Sequence, residues 1–151
     1  MTDYFSELLA ELGKEIHLPL AVDKSNACSI AMSPLTIQME LDSTQENLFL
    51  FAKILELPPG KFRENVLCEA LKTNGGPDPR PGIFGYIALT NHLALYQMYP
   101  IAILDGQKLA GLLGSFYDLG SFWYSSIQRG QINGLNSSIG SSVKPPFGMK
   151  L

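Results

Sequence analysis

The residues of this chain that could do chemistry are few and scattered. Two histidines, His17 and His92, and two cysteines, Cys28 and Cys68, are spread over 151 residues. A metal site draws three or four such ligands together at set spacings, and neither a CxxC pair nor an HExxH turn occurs. Nucleophilic and nucleotide chemistry fare no better: there is no Gly-x-Ser-x-Gly elbow, no GxxxxGK[ST] and no GxGxxG after a strand. Neither cysteine stands at an electropositive helix N-terminus, so both are expected to be reduced and buried. Glu40, Asp42 and Glu46 cluster where a strand ends, the place of solvated turn residues. His92 sits in Thr90-Asn91-His92 between two apolar runs. Asn and His tolerate positive φ, so a hairpin turn explains His92 without a catalytic role. The alternative is a small ligand-binding domain or enzyme that uses a hairpin cavity, with His92 and Tyr96 as its polar groups.

The elements that would position any site are clearer than the site. Phe5, Leu8, Leu9 and Leu12 recur at helical spacing, with Thr2 or Asp3 to cap the helix and Gly13 to end it. From residue 28 the period falls to two. CSIAM, LTIQMEL (35–41) and NLFLFAKIL (47–55) read as three strands, the first two joined through Ser33-Pro34. In the third, Leu48, Leu50 and Ile54 take one face while Phe49, Phe51 and Leu55 take the other. A strand apolar on both faces must be covered on both, or it awaits a partner.

Pro58-Pro59 stops that strand, and KFRENVLCEALKTNGG resumes helical spacing through Phe62, Val66, Ala70 and Leu71. IFGYIAL and LALYQMY then form a hairpin, with Ile83, Ile87 and Leu89 on one face and Phe84 and Tyr86 on the other. From an Asp105 cap, the stripe Leu109, Leu113, Phe116, Leu119, Trp123 and Ile127 marks a long last helix. Its glycines allow two readings, either close approach to another backbone at Gly106, Ala110 and Gly114 or a locally broken helix. Residues 131–151 are rich in Ser, Gly, Asn and Pro and are expected to form a flexible tail after a single domain at 1–130.

Composition narrows the function. Apolar residues make up 46% and charged ones 17%, below the usual charged share of about 25%. The net charge is −3 and the eleven Lys and Arg are dispersed, which disfavours nucleic acid. The tail carries +2, leaving −5 on residues 1–130. No apolar run approaches the ~20 residues that span a bilayer, and the N-terminal helix is acidic, so no membrane insertion and a cytoplasmic location are expected. Surplus apolar surface on a small α+β chain, with no catalytic set, points to association.

The order helix, three strands, helix, hairpin, helix resembles the class I chaperones of type III secretion, the CesT/SycE family. ELLAELG, the Asn26-Ala27-Cys28 lead-in, LELPPGKFRENVLCEALKTNGG, GYIALTNHLALYQ and the helix from Leu109 to Ile127 carry the likeness over about residues 3 to 130. It implies an α-β-β-β-α-β-β-α fold, an antiparallel sheet packed with three helices. It implies a cytosolic bacterial dimer without catalytic activity, cofactor or metal, which keeps the N-terminal region of a secreted effector competent for export. One such effector is a gatekeeper of the CopN type. Carried over, Phe5, Leu9, Ile30, Met32, Phe49 and Phe51 would contact the effector, and Phe62, Val66, Phe84 and Tyr86 a second subunit. Homodimer and heterodimer with a different chaperone subunit both remain open, and so does a structural subunit of the export apparatus.

Overall fold

The computed structural model describes residues 4–132. Its elements run α1 (Tyr4–Ile16), β1 (Ala27–Met32), β2 (Leu35–Leu41), β3 (Asn47–Glu56), α2 (Lys61–Asn74), β4 (Ile83–Ile87), β5 (His92–Pro100) and α3 (Gly106–Gln128). One turn of 3-10 helix, Ile101–Ile103, leads into α3. All five strands join one antiparallel sheet in the order β1-β2-β3-β5-β4. This is the α+β order anticipated above. Of the tail expected over 131–151, only the first two residues fall among those described. Gln131 donates its N–H to the Ser126 carbonyl at 2.8 Å, and Ile132 packs into the core.

The period-two strands sort their side chains as alternation requires. Leu48, Leu50, Ala52 and Ile54 of β3 point to the buried face. There they meet Leu35, Ile37 and Met39 of β2, Leu93 and Leu95 of β5, and the apolar stripes of α1 and α3. Trp123 is fully buried and packs on Phe84, ring centroids 4.1 Å apart. Helix α2 lies along β4. Asn74 at its end donates Nδ2 to the Phe84 carbonyl and accepts the Phe84 N–H, so one amide side chain satisfies a residue of the outer strand as a further strand would.

Two boundaries differ from the sequence reading. Spacing predicts an end of α1 at Gly13, but the helix runs on to Ile16, and His17 at φ 59° leaves it in the left-handed region. Gly13 is needed for a different reason. The chain folds back so that the Leu18 N–H donates to the Gly13 carbonyl at 3.0 Å, and a Cβ on Gly13 would stand 2.6 Å from the Leu18 carbonyl oxygen. In the hairpin, Asn91 takes the left-handed conformation at φ 57°, and His92 begins β5 opposite Ile87 and Glu56. Tyr86 secures that turn by donating its hydroxyl to Asn91 Oδ1 at 2.7 Å.

Helix α3 is continuous despite its glycines, and Asp105 caps it by accepting the Lys108 N–H at 2.7 Å. Close approach belongs to Gly106 and Gly120, while Gly111 and Gly114 face open space. Gly106 donates its N–H to Glu11 Oε2 at 3.0 Å, and a Cβ there would lie 2.5 Å from Glu11 Cβ and 2.7 Å from its carbonyl carbon. Helix propensity alone makes alanine the better residue by about 1 kcal/mol. The contact with α1 reverses the sign: Gly106→Ala should destabilise the chain by about 1–3 kcal/mol through overpacking, read as a lower urea midpoint. The same change at exposed Gly111 should raise it.

The turn from β2 to β3 is organised by Asp42. Its carboxylate accepts the Asn47 side-chain amide and the Thr44 hydroxyl, each at 2.8 Å, and the N–H groups of Glu46 and Asn47 at 3.2 Å. Bonding from the Asn47 side chain, with Thr44 and the two backbone donors, lowers its pKa to about 2. A carboxyl whose folded pKa lies below its unfolded value of about 3.9 stabilises fully above that unfolded value. That contribution is lost as pH falls through it towards 2. Asp42→Asn should therefore lower the thermal midpoint at pH 7 and bring it closer to wild type at pH 2.5. A gap that stays constant with pH would contradict the assignment.

Candidate functional site

The described residues offer little for catalysis. No group of three or more His, Cys, Asp and Glu side chains among them is placed to hold a metal ion. Cys28 is buried, and that burial raises its thiol pKa, away from a reactive thiolate. Cys68 corrects the expectation that both cysteines are buried. It is exposed on α2, because the buried stripe of that helix is Val66, Ala70 and Thr73. His92 has a local partner only, its Nδ1 lying 3.0 Å from the Thr90 carbonyl. Tyr96 is on the opposite face of the sheet from the core, paired across the strands with Phe51.

What the fold leaves unfilled is one face of its sheet. Helices α1 and α3 cover the side that carries Leu48, Leu50 and Ile54. On the reverse side, alternation presents Phe49, Phe51 and Lys53 from β3, Tyr96 and Met98 from β5, and Gln38 and Glu40 from β2. Phe51 pairs across the strands with Gln38 and Tyr96, and Phe49 with Glu40 and Met98. The Phe49 and Phe51 rings stack at 6.3 Å with 18° between planes, and Tyr96 lies 6.0 Å from Phe49. Met98 is 46% exposed. Rings at these separations attract and shield one another in part, so Phe49, Phe51 and Tyr96 are half-buried. The patch therefore retains apolar surface that a partner can bury.

The ten side chains singled out from the sequence do not share one surface. Phe5, Leu9 and Ile30 lie in the core, each at 3% exposure or less, where they hold the helix layer to the sheet. Met32 is half-buried at the edge of that core. Phe49 and Phe51 stand on the open face, with the whole sheet between them and Phe5. Among the four residues expected to face a second subunit, Val66 and Phe84 are buried, whereas Phe62 and Tyr86 are partly accessible beside α2. There the Arg63 guanidinium donates to the Leu57 carbonyl through Nε at 3.2 Å and Nη2 at 2.6 Å, and lies 5.8 Å from the Tyr86 ring centroid. Leu71, 70% exposed on α2, adds to that second apolar area. Tyr96 and Met98 join the open face although the sequence reading passed over them as contacts. Their alternation with the buried Leu93 and Leu95 is the signal that would have found them.

An accessible hollow of about 440 Å3 opens at the end of the sheet between Tyr4, Phe5, Asn26, Leu41, Gln45 and Ile101. Tyr4 closes its rim by donating its hydroxyl to the Leu104 carbonyl at 3.0 Å. Among the described residues no helix is long and apolar enough to cross a membrane.

The fold has counterparts. The sequence pattern of the Tir chaperone protein (CesT) family matches residues 7–123. The type III secretion chaperone SycH of Yersinia pestis, solved with a stable fragment of YscM2, superposes with a TM-score of 0.66 at 18% identity, over 80% of this chain and 99% of that one. The ExoT–SpcS complex of Pseudomonas aeruginosa contains a chain that superposes at 0.62 and 18% identity, over 80% and 97%. A chain of the ExsC–ExsE complex superposes at 0.59 and 25% identity, over 78% and 89%. At such low identities the first two likenesses show the fold. None of the curated proteins matches the chain significantly.

Proposed function

The chain belongs to the Tir chaperone protein (CesT) family, and from that premise we propose that it is a type III secretion chaperone that binds the N-terminal region of a secreted effector and keeps it competent for export. The observation that carries this reading is the aromatic face of Phe49, Phe51 and Tyr96, left uncovered on a sheet whose other face is fully packed. An extended effector segment laid across it would bury apolar side chains worth ~1.5–3 kcal/mol each, offset by about 2–5 kcal/mol for ordering the segment. Several anchors are therefore required, and adjacent rings provide them. The two sheet edges differ in a way that bears on the same reading. Asn74 occupies the outer edge at β4, whereas among the described residues β1 pairs only with β2 and keeps a free edge on which an effector strand can be added.

In this reading Phe49 and Phe51 contact the effector from the open face and Met32 from the end of β1, and Phe62 and Tyr86, with Leu71, face a second subunit along α2. Residues 1–130 act as one chaperone unit in the bacterial cytoplasm, without catalytic activity. In finer detail the chain resembles the chlamydial SycE-like chaperone that serves the gatekeeper CopN, so a gatekeeper of that type is the effector to try first. The second subunit is another copy or a different chaperone. Coexpression with the N-terminal region of such an effector, followed by size exclusion, should yield two chaperone subunits to one effector. A chain that stays monomeric and indifferent to every effector segment offered would sink the proposal.

A further inference from the structure

We propose that the open face of the sheet selects an extended apolar segment with a basic side chain at one end and an acidic one at the other, matched to Glu40 and Lys53. This rests on the effector-binding reading and adds the chemistry that the bound segment must have. Phe49, Phe51 and Lys53 project from one face of β3 at alternate positions. Glu40 is the cross-strand partner of Phe49, so its side chain stands on the same face. Glu40 is level with Phe49, and the four steps along β3 from Phe49 to Lys53, at about 3.3 Å each, set the two charged positions on the order of 13 Å apart along the strand. The Phe51 ring lies between those two levels, and the Phe49 ring stands beside Glu40. Neither charge is in an ion pair or side-chain hydrogen bond with any described residue. A hollow of about 330 Å3 beside Phe51, lined by Pro34, Thr36, Gln38, Phe51 and Lys53, offers a seat for one apolar side chain next to the ammonium.

The two ends are thus chemically unequal. A segment that sets an acid against Glu40, or a base against Lys53, brings like charges into register, which is unfavourable between facing side chains. Apolar anchors supply most of the affinity, and the charges fix direction and exclude wrong segments.

Three fluorescein-labelled peptides of alternating Leu and Ser serve as probes, each with two charged positions four residues apart: one Lys and one Glu, two Glu, or two Lys. Fluorescence anisotropy with the full chain should rank the mixed peptide first, by about two- to fivefold per matched exposed pair, a margin that shrinks with added salt. Lys53→Glu should move the preference to the doubly basic peptide and Glu40→Lys to the doubly acidic one. Phe51→Asp should abolish binding of all three. An unchanged ranking in the charge variants overturns the proposal, as does binding that survives Phe51→Asp. Phe51→Asp turning a dimer into a monomer would assign the face to contact between copies and overturn it too. Failure of all three peptides also overturns it, while the coexpression experiment decides separately whether the chain is a chaperone.

Discussion

Replacing Phe49 and Phe51 together by Asp should cost the chain its effector while leaving its fold in place. Both rings belong to the uncovered side of the sheet, so neither fills core volume, and their removal opens no cavity among Leu48, Leu50 and Ile54. Each ring that a partner would have buried is worth ~1.5–3 kcal/mol, and the introduced carboxylates would have to be desolvated in the complex. Two anchors lost together correspond to an affinity fall of about 10²–10⁴-fold. The effector should vanish from the coexpressed complex. Circular dichroism and the thermal midpoint of the free chain should stay within a few degrees of wild type. Retention of the effector by the double variant would move the binding surface elsewhere, with the hollow at Tyr4 and Leu41 as the next place to test. Collapse of the fold would show instead that the face is structural.

The largest loss of stability should come from Trp123→Ala. Trp123 is fully buried on α3, and its ring packs tilted on Phe84 with centroids 4.1 Å apart. Removing a buried aromatic to alanine costs about 3–5 kcal/mol, a large part of the 5–15 kcal/mol that domains of this kind possess. The urea midpoint should drop steeply, or the chain should fail to accumulate. Trp123→Phe should cost much less, for two reasons. It keeps most of the ring volume, and it deletes an indole N–H that has no acceptor among the described residues, so no partner is orphaned in exchange. Equal losses in the two variants would contradict this account. Because Phe84 and Asn74 tie the outer strand to α2, Trp123→Ala should also weaken association through α2. Phe49 and Phe51 changes should spare it.

Much of the architecture was legible because it depends on local chemistry. Asp105 caps α3 as its side chain predicts, the period of two in residues 35–41 and 47–55 yields β2 and β3, and the run from Lys61 to Asn74 is the helix that its spacing implies. The first helix overshot its predicted end because Gly13 serves a close approach by Leu18, a contact that helical spacing does not encode. The candidate site was legible by halves. Phe49 and Phe51 were found, but Phe5, Leu9 and Ile30 were grouped with them, since an apolar side chain has the same chemistry in a core as on a binding surface. Lys53 passed unnoticed and Glu40 was grouped with the solvated turn acids, because a surface charge gains a role only once cross-strand register sets it beside an aromatic patch.

The sequence by itself determined the order and type of the elements, the two-faced character of β3 and β4, and a likeness to secretion chaperones, because alternation, helical spacing, caps and turn residues act between near neighbours. Only the tertiary structure decided which face each strand gives to the core. Alternation defines two faces and leaves them equivalent. The docking of α1 and α3, joined through Gly106 and Glu11 at 95 positions' separation, covers one of them and leaves Phe49, Phe51 and Tyr96 on the other.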